Sequence, residues 1–209
     1  SRPKGGMLKM LLSIPGINRS LGRLRERGYP VKSILDIIQN DNDTNTIVYT
    51  SREFQPFSET FSDRYAFVGP LPREKTEEFK SDGRKTVYIS LGTVNNKNSR
   101  FYENCIKAFS GENVRVVMSV GQRTDENSFS DVPANIELHT RVDQMAVLEA
   151  ADVFITHCGM NSASEGLYCG VPLVLFPQTP EQGAVAGRVK ELGAGEYLED
   201  IEPKCIKST

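Results

Sequence analysis

The chain has 209 residues, 38% of them hydrophobic and 25% charged, with a formal net charge of −2 and a sequence pI near 5.8. That balance belongs to an ordinary globular protein and excludes nucleic acid or an anionic membrane surface as the main partner. No apolar run approaches the roughly 18 residues of a spanning helix, so stable membrane insertion is not expected. Four cysteines (Cys105, Cys158, Cys169, Cys205) show no C-x-x-C spacing, and His139 and His157 are the only histidines. Neither a disulfide scaffold nor a metal site is expected, and reduced thiols suit the cytoplasm.

In chain order, Met7 to Arg27 reads as a basic helix interrupted at Pro15 and Gly16. Val31 to Gln39 reads as a short amphipathic helix, and Thr46–Thr50 and Ala66–Val68 as strands. Gly69-Pro70-Leu71-Pro72 and the charged run Arg73 to Lys80 mark a linker. The expected organisation is therefore 1–69 as part of a larger domain, since so few elements bury too little to stand alone. Residues 70–83 form the linker and 84–209 a second domain.

From there strands and helices alternate. Strands are expected at Thr86–Leu91, Val114–Val120, Ile136–Leu138, Val153–Thr156 and Pro172–Phe176. Helices are expected at Ser99–Phe109, Asp143–Ala150, Asn161–Cys169 and Glu181–Leu192, the last capped by Gly193 or Gly195. Near-continuous apolar strands between amphipathic helices predict an α/β fold, a Rossmann-like parallel sheet with helices on both faces. Ligands bind such sheets beyond the carboxyl ends of the strands. The loops Ser90–Thr93, Gly121–Arg123, Arg141–Gln144, His157–Glu165 and Pro177–Gln182 all fall on that edge.

The loop after Val153–Thr156 carries the most chemistry. Gly159 lets a ligand approach the backbone, Asn161 or Ser162 caps the next helix, and the free N–H groups behind the cap suit an anion. His157 is either a satisfied polar residue at a strand end or a phosphate ligand, its charge state open. Glu165, in the first helical turn, either complements the helix dipole or accepts two bonds from a ribose diol. Gly92-Thr93 is a plain turn or a second phosphate contact. No G-x-G-x-x-G or P-loop accompanies it, so neither a dinucleotide cofactor nor ATP is indicated. Glu181-Gln182 is a helix start or a hexose-binding pair, Asp143 an N-cap, and Arg141 a group able to stack on a base.

The run I-T-H-C-G-M-N-S-A-S-E-G-L-Y-C-G-V-P-L-V-L-F-P-Q-T-P-E-Q (155–182), with Tyr88–Thr93, Phe101–Cys105, Val116–Gly121 and Arg188–Gly195, resembles the nucleotide-sugar signature of GT-B-fold glycosyltransferases. The resemblance is greatest to bacterial macrolide-type members of the UDP-glycosyltransferase superfamily. It implies that His157, Gly159, Asn161 and Ser162 hold a donor diphosphate, with Thr93 on its other side. Glu165 would take the ribose, Arg141, Val142 and Gln144 would flank the base, and Glu181 and Gln182 would face the sugar. It implies an inverting hexosyltransferase without a metal or other cofactor. The donor would be a UDP-sugar, with UDP-glucose expected first, or a dTDP-sugar, and the acceptor a hydroxyl of a small lipophilic molecule such as a macrolide. A GT-B-fold UDP-sugar 2-epimerase and a non-catalytic nucleotide-sugar-binding module are the alternatives. The family's catalytic His belongs to the acceptor domain, whereas both histidines here fall on the donor side. The chain therefore reads as a fragment without its own catalytic base: the end of an acceptor domain (1–69), the linker and a donor domain cut short. Four positions depart from the family pattern: Cys158 (often Gly), Arg141 (often aromatic), Asp143 (often Pro) and Glu181 (more often Asp).

Overall fold

The computed structural model describes residues 5–38, 45–92, 98–122 and 129–209, with residues 5–15 described by their backbone alone. Two units are distinguished by their internal contacts: Ser1–Ile47 with Phe61–Ala66, and Val48–Thr60 with Phe67–Thr209.

In the first unit, α1 (Gly5–Glu26) passes through Pro15 and Gly16 without the expected interruption. A proline removes one helical hydrogen bond but keeps a helical φ, and the Leu-, Met- and Arg-rich turns around it favour the helix. α2 is only Leu35–Ile38, shorter than expected. The Asp36 carboxylate reaches back to accept the Lys32 and Ser33 amides at 2.6 and 2.8 Å, which holds that stretch in a bend; Gln39 lies outside the described residues. Thr46–Val48 (β1) and Tyr65–Phe67 (β2), whose last residues are counted with the second unit, form a two-stranded sheet.

The second unit is built on a six-stranded sheet. Its elements are β3 (Lys85–Ser90), α3 (Ser99–Phe109), β4 (Val114–Ser119), β5 (Ile136–His139), α4 (Gln144–Leu148), β6 (Val153–Thr156), α5 (Met160–Tyr168), β7 (Leu173–Leu175), α6 (Pro180–Glu191), β8 (Gly195–Tyr197) and α7 (Pro203–Ser208). Strand order is β5-β4-β3-β6-β7-β8, all pairs parallel. The two-residue side-chain period divides each strand between two cores. Val87, Ile89, Val116, Met118 and Ile155 pack with Phe101, Tyr102, Cys105 and Ile206 on the face covered by α3 and α7. Tyr88, Val117, Phe154, Leu173 and Leu175 pack with Val147, Leu148, Ala163, Ala186 and Val189 on the face covered by α4, α5 and α6.

The closing strand β8 and α7 carry no expectation from the pattern. Gly-Glu-Tyr is too short and too polar to announce a strand. α6 ends in a Schellman turn: Gly193 (φ +69°) is left-handed, and Ala194 N and Gly193 N donate to Val189 O and Lys190 O. Gly193 is therefore the cap, which frees Gly195 to open β8.

Residues 70–83 form neither helix nor strand, yet they are strapped to the sheet unit. Lys75 pairs with Glu149 at 2.8 Å, and the Thr76 hydroxyl donates to Asp143 at 2.7 Å. Phe79 packs beneath the Arg115 guanidinium, 4.1 Å from its ring centre. Arg115 also donates to Lys80 O at 2.6 Å and forks onto Glu137.

Two alanine substitutions should separate packing from helix propensity. A Cβ at Gly195 would lie 2.5 Å from Leu173 O and 3.1 Å from Val189 Cγ1, so Gly195→Ala should destabilise by about 1–3 kcal/mol through overpacking. Gly183, inside α6, has open space at that position, and Gly183→Ala should stabilise by about 0.5–1 kcal/mol. Urea denaturation of both variants measures the two signs.

Candidate functional site

The site forms where the strand order reverses. β3 and β6 are adjacent, Ser90 level with Thr156, but the chain leaves their carboxyl ends toward opposite halves of the sheet. Such a switch point opens a crevice. A cleft of about 720 Å³ occupies it, its walls including Ser90 at the end of β3 and Gly92 beyond it, Gly121 and Gln122 after β4, Thr140 to Val142 after β5, and His157 and Gly159 to Ser162 after β6.

The turn after β6 is tightly built. Thr156 Oγ1 accepts the Cys158 amide at 3.2 Å, and Cys158 takes a left-handed conformation (φ +63°). Glycine adopts that region freely and other residues at a cost of about 1 kcal/mol or more. Burial pushes the Cys158 thiol up to about 12, the Phe176 backbone opposing, so it packs as an apolar group. Gly159, and not Asn161 or Ser162, is the N-cap of α5, and it has no side chain to satisfy the first-turn amides. The helix starts one residue earlier than expected. Gly159, Met160, Asn161 and Ser162 all line the cleft, so their uncapped turn is offered to a ligand.

His157 is wedged between two glycines. A Cβ on Gly92 or on Gly159 would stand 2.6 Å from its Nε2, so both positions require a missing side chain for the ring to sit where it does. Its Nδ1 is buried with no hydrogen-bond partner. Desolvation lowers the imidazole's pKa below 6.5, with the Ser90 backbone and the Glu181 carboxylate pulling the other way. Burial thus favours the neutral ring over the charged one.

Glu165 stands on the second turn of α5, not the first, because the helix begins at Met160. Its partner is accordingly not the helix dipole. Arg73, from the strap, forks onto it with Nε to Oε1 at 2.9 Å and Nη2 to Oε2 at 3.1 Å. Gln144 Nε2 donates to Oε2 at 2.5 Å, and the Tyr88 hydroxyl donates to Gln144 Oε1 at 3.1 Å, fixing which way the amide points. Burial raises the Tyr88 phenol, so it keeps its proton.

Of the expected residues, Arg141, Val142, Gln144, His157, Gly159, Asn161, Ser162 and Glu181 come together on the cleft wall. Glu165 lies just behind, covered by Arg73 and Gln144. Gln182 turns to its own loop, where Oε1 accepts the Gln178 amide at 2.8 Å. Thr93 and Arg123 lie outside the described residues. Asp143 caps α4 as expected, accepting the Ala146 amide. Burial works to raise its carboxyl, but the amide and hydroxyl of Thr76 and the amides of Ala146 and Glu77 outweigh it and hold it at about 2. His139 faces Glu137 at 3.5 Å, away from the cleft wall. Arg73 and Tyr88 carry no site signal in the sequence: one sits in a charged run, the other in a buried strand.

Residues 106–208 match the family model described as "Erythromycin biosynthesis protein CIII-like, C-terminal domain". The chain is 48% identical over 159 residues to the NDP-glycosyltransferase YjiC of Bacillus licheniformis, covering 73% of this chain and 40% of that protein. It is 42% identical over 197 residues to the uncharacterized UDP-glucosyltransferase YdhE of Bacillus subtilis, covering 90% of this chain and 49% of the relative. The crystal structure of the glycotransferase of kitacinnamycin superposes with a TM-score of 0.78 at 32% identity, over 92% of this chain and 51% of that one. The chain thus spans about half, or less, of the relatives it matches.

The wedge around His157 has two measurable consequences. Its imidazole should titrate below 6.5 by NMR. The neutral ring's contribution to stability is present above about pH 6.5 and is lost as pH falls through the depressed folded value, because the unfolded chain then binds more protons. Gly159→Ala keeps a permitted backbone (φ −61°) but displaces the ring, and the His157 midpoint should move back toward 6.5. An unmoved midpoint would mean the glycine is not what seats the imidazole.

Proposed function

Residues 106–208 match the model of the erythromycin biosynthesis protein CIII-like C-terminal domain, and from that footing we propose that the chain binds the nucleotide-sugar donor of an inverting hexosyltransferase. The observation that carries this is an uncapped helix start on the cleft, beside an imidazole whose buried Nδ1 has no hydrogen-bond partner, with a buried carboxylate just behind the wall one turn further on. The first group suits a diphosphate and the second a ribose.

In the proposed arrangement the amides of Gly159, Asn161 and Ser162 and the His157 ring surround the diphosphate. Arg141, Val142 and Gln144 flank the base, Glu165 takes the ribose, and Glu181 faces the hexose with Gln182 behind it. As the glycosidic bond to the donor breaks, negative charge grows on the leaving diphosphate. Fixed N–H groups stabilise it without reorganising, so no metal is required. The acceptor hydroxyl, of a small lipophilic natural product, attacks the opposite face of the sugar. His157 is assigned to the diphosphate and His139 faces Glu137, so neither is assigned the acceptor's proton. UDP-glucose is the first donor to test and a dTDP-sugar the second. A 2-epimerase would ask for several carboxylates at the sugar, and Glu181 is the one carboxylate on the described wall.

Isothermal titration of the 209-residue chain with UDP, UDP-glucose and dTDP should show binding, and a chain with neither heat nor thermal shift would remove the proposal. His157→Ala should lower UDP affinity roughly 10- to 100-fold, as expected for a hydrogen bond to a charged group, and uridine affinity much less. An approaching diphosphate favours the protonated ring, so UDP binding should take up a proton and tighten as pH falls from 7.5 toward 6. Equal losses for UDP and uridine, or no proton uptake, would place His157 away from the phosphates.

A further inference from the structure

The carboxylate assigned to ribose is already occupied. Glu165 is 6% exposed at its side chain, and Arg73, 65% exposed, satisfies both of its oxygens. A guanidinium fork presents two parallel N–H donors. A vicinal diol presents two O–H donors on adjacent carbons to the same pair of oxygens, so fork and diol compete for one acceptor. Gln144 need not move, because Tyr88 anchors its amide from the far side.

Arg73 lines the donor cleft, and its backbone is held nearby by Lys75 on Glu149 and Thr76 on Asp143. The exchange is therefore a swing of one largely exposed side chain, with the strap left in place. We propose that Arg73 is a specificity-determining residue: its fork fills the Glu165 carboxylate in the empty site, and nucleotide binding displaces it by an amount set by the number of ribose hydroxyls. This rests on the assignment of Glu165 to ribose made above. A 2′,3′-diol displaces both N–H bonds. A 2′-deoxyribose, with one hydroxyl, displaces one and leaves the guanidinium on the other oxygen. Arg73 thus narrows the gap between ribo- and deoxyribonucleotide donors, penalising the diol more.

The test uses the 209-residue chain with UDP, dUDP and inorganic pyrophosphate as ligands. Pyrophosphate reaches the α5 amides but offers nothing to Glu165, so expressing each affinity relative to it cancels the general change in cleft charge. Arg73→Met keeps the apolar stem and removes the fork. UDP affinity relative to pyrophosphate should rise several-fold, that of dUDP by clearly less, and the UDP/dUDP ratio should widen. Arg73→Lys, a point charge without the fork, should give an intermediate ratio, which a loss of folding would not produce. An unchanged or narrowed UDP/dUDP ratio in Arg73→Met overturns the inference. Glu165→Gln tests the parent assignment separately: it should weaken UDP and spare pyrophosphate. If both weaken alike, or the unaltered chain binds pyrophosphate but gains nothing from uridine, the ribose assignment falls and the role of Arg73 falls with it. If Glu165→Gln behaves as expected while Arg73→Met does not, only the inference is lost.

Discussion

The parallel ladder between β3 and β6 is the constraint on which the site depends. Val87 to Ser90 lie level with Val153 to Thr156, so the residues following each strand emerge side by side. They then diverge because β4 lies on one side of the pair and β7 on the other. That divergence brings Gly92 against the ring of His157, although 65 residues of chain separate them. A sheet with β3 and β6 apart would have the same loops and no cleft. The glycines flanking the imidazole make sense only in this geometry, since each removes a Cβ that the neighbouring strand end would otherwise drive into the ring.

The electrostatics of the crevice follow from how the turn is made. A left-handed Cys158 swings the backbone so that Gly159 caps α5 without a side chain. A Ser or Asp in that place would satisfy one of the first-turn amides itself. Desolvation favours the neutral form of the neighbouring histidine, so the turn itself presents oriented N–H dipoles, while Arg73 and Arg141 bring positive charge to the cleft wall. Such a turn meets an anion with donors already in place. The acidic residue beyond them is masked by Arg73, which prevents an unpaired buried carboxylate from repelling that same anion.

Much of this unit is written locally. β3, β4, β6 and the helices α3, α5 and α6 fall within a residue or two of expectation, because each strand is an apolar run bounded by turn residues and each helix has a buried stripe. Gathering the loops at one sheet edge required only the rule for parallel sheets. What could not be seen depends on contacts distant in sequence. Pro15 reads as a break and is carried by the turns around it. Gly195 opens a strand only because Leu173 has a free edge to pair with. Cys158 hides a left-handed turn that glycine would have announced. Arg73 meets Glu165 across 92 residues, and nothing near either one marks the partnership.

The strap couples the sheet to the nucleoside end of the cleft. Its polar anchors in Arg73–Thr76 end on Glu165, Glu149 and Asp143, which lie on α5, at the end of α4 and at the cap of α4. Those helices carry Gln144 and Glu165, so the stretch that composition marks as a linker also sets the position of the groups assigned to the nucleoside. Asp143 does two jobs that a proline in its place could not. A proline would fix the backbone entering α4 but could accept neither the Ala146 amide nor the Thr76 hydroxyl, and this chain uses one carboxylate for both. The cap of a helix and the anchor of the strap are then the same group. Loss of the Asp143 carboxylate would therefore release the strap at Thr76 and uncap α4 together, one residue from the Gln144 amide that the Glu165 carboxylate shares with Tyr88.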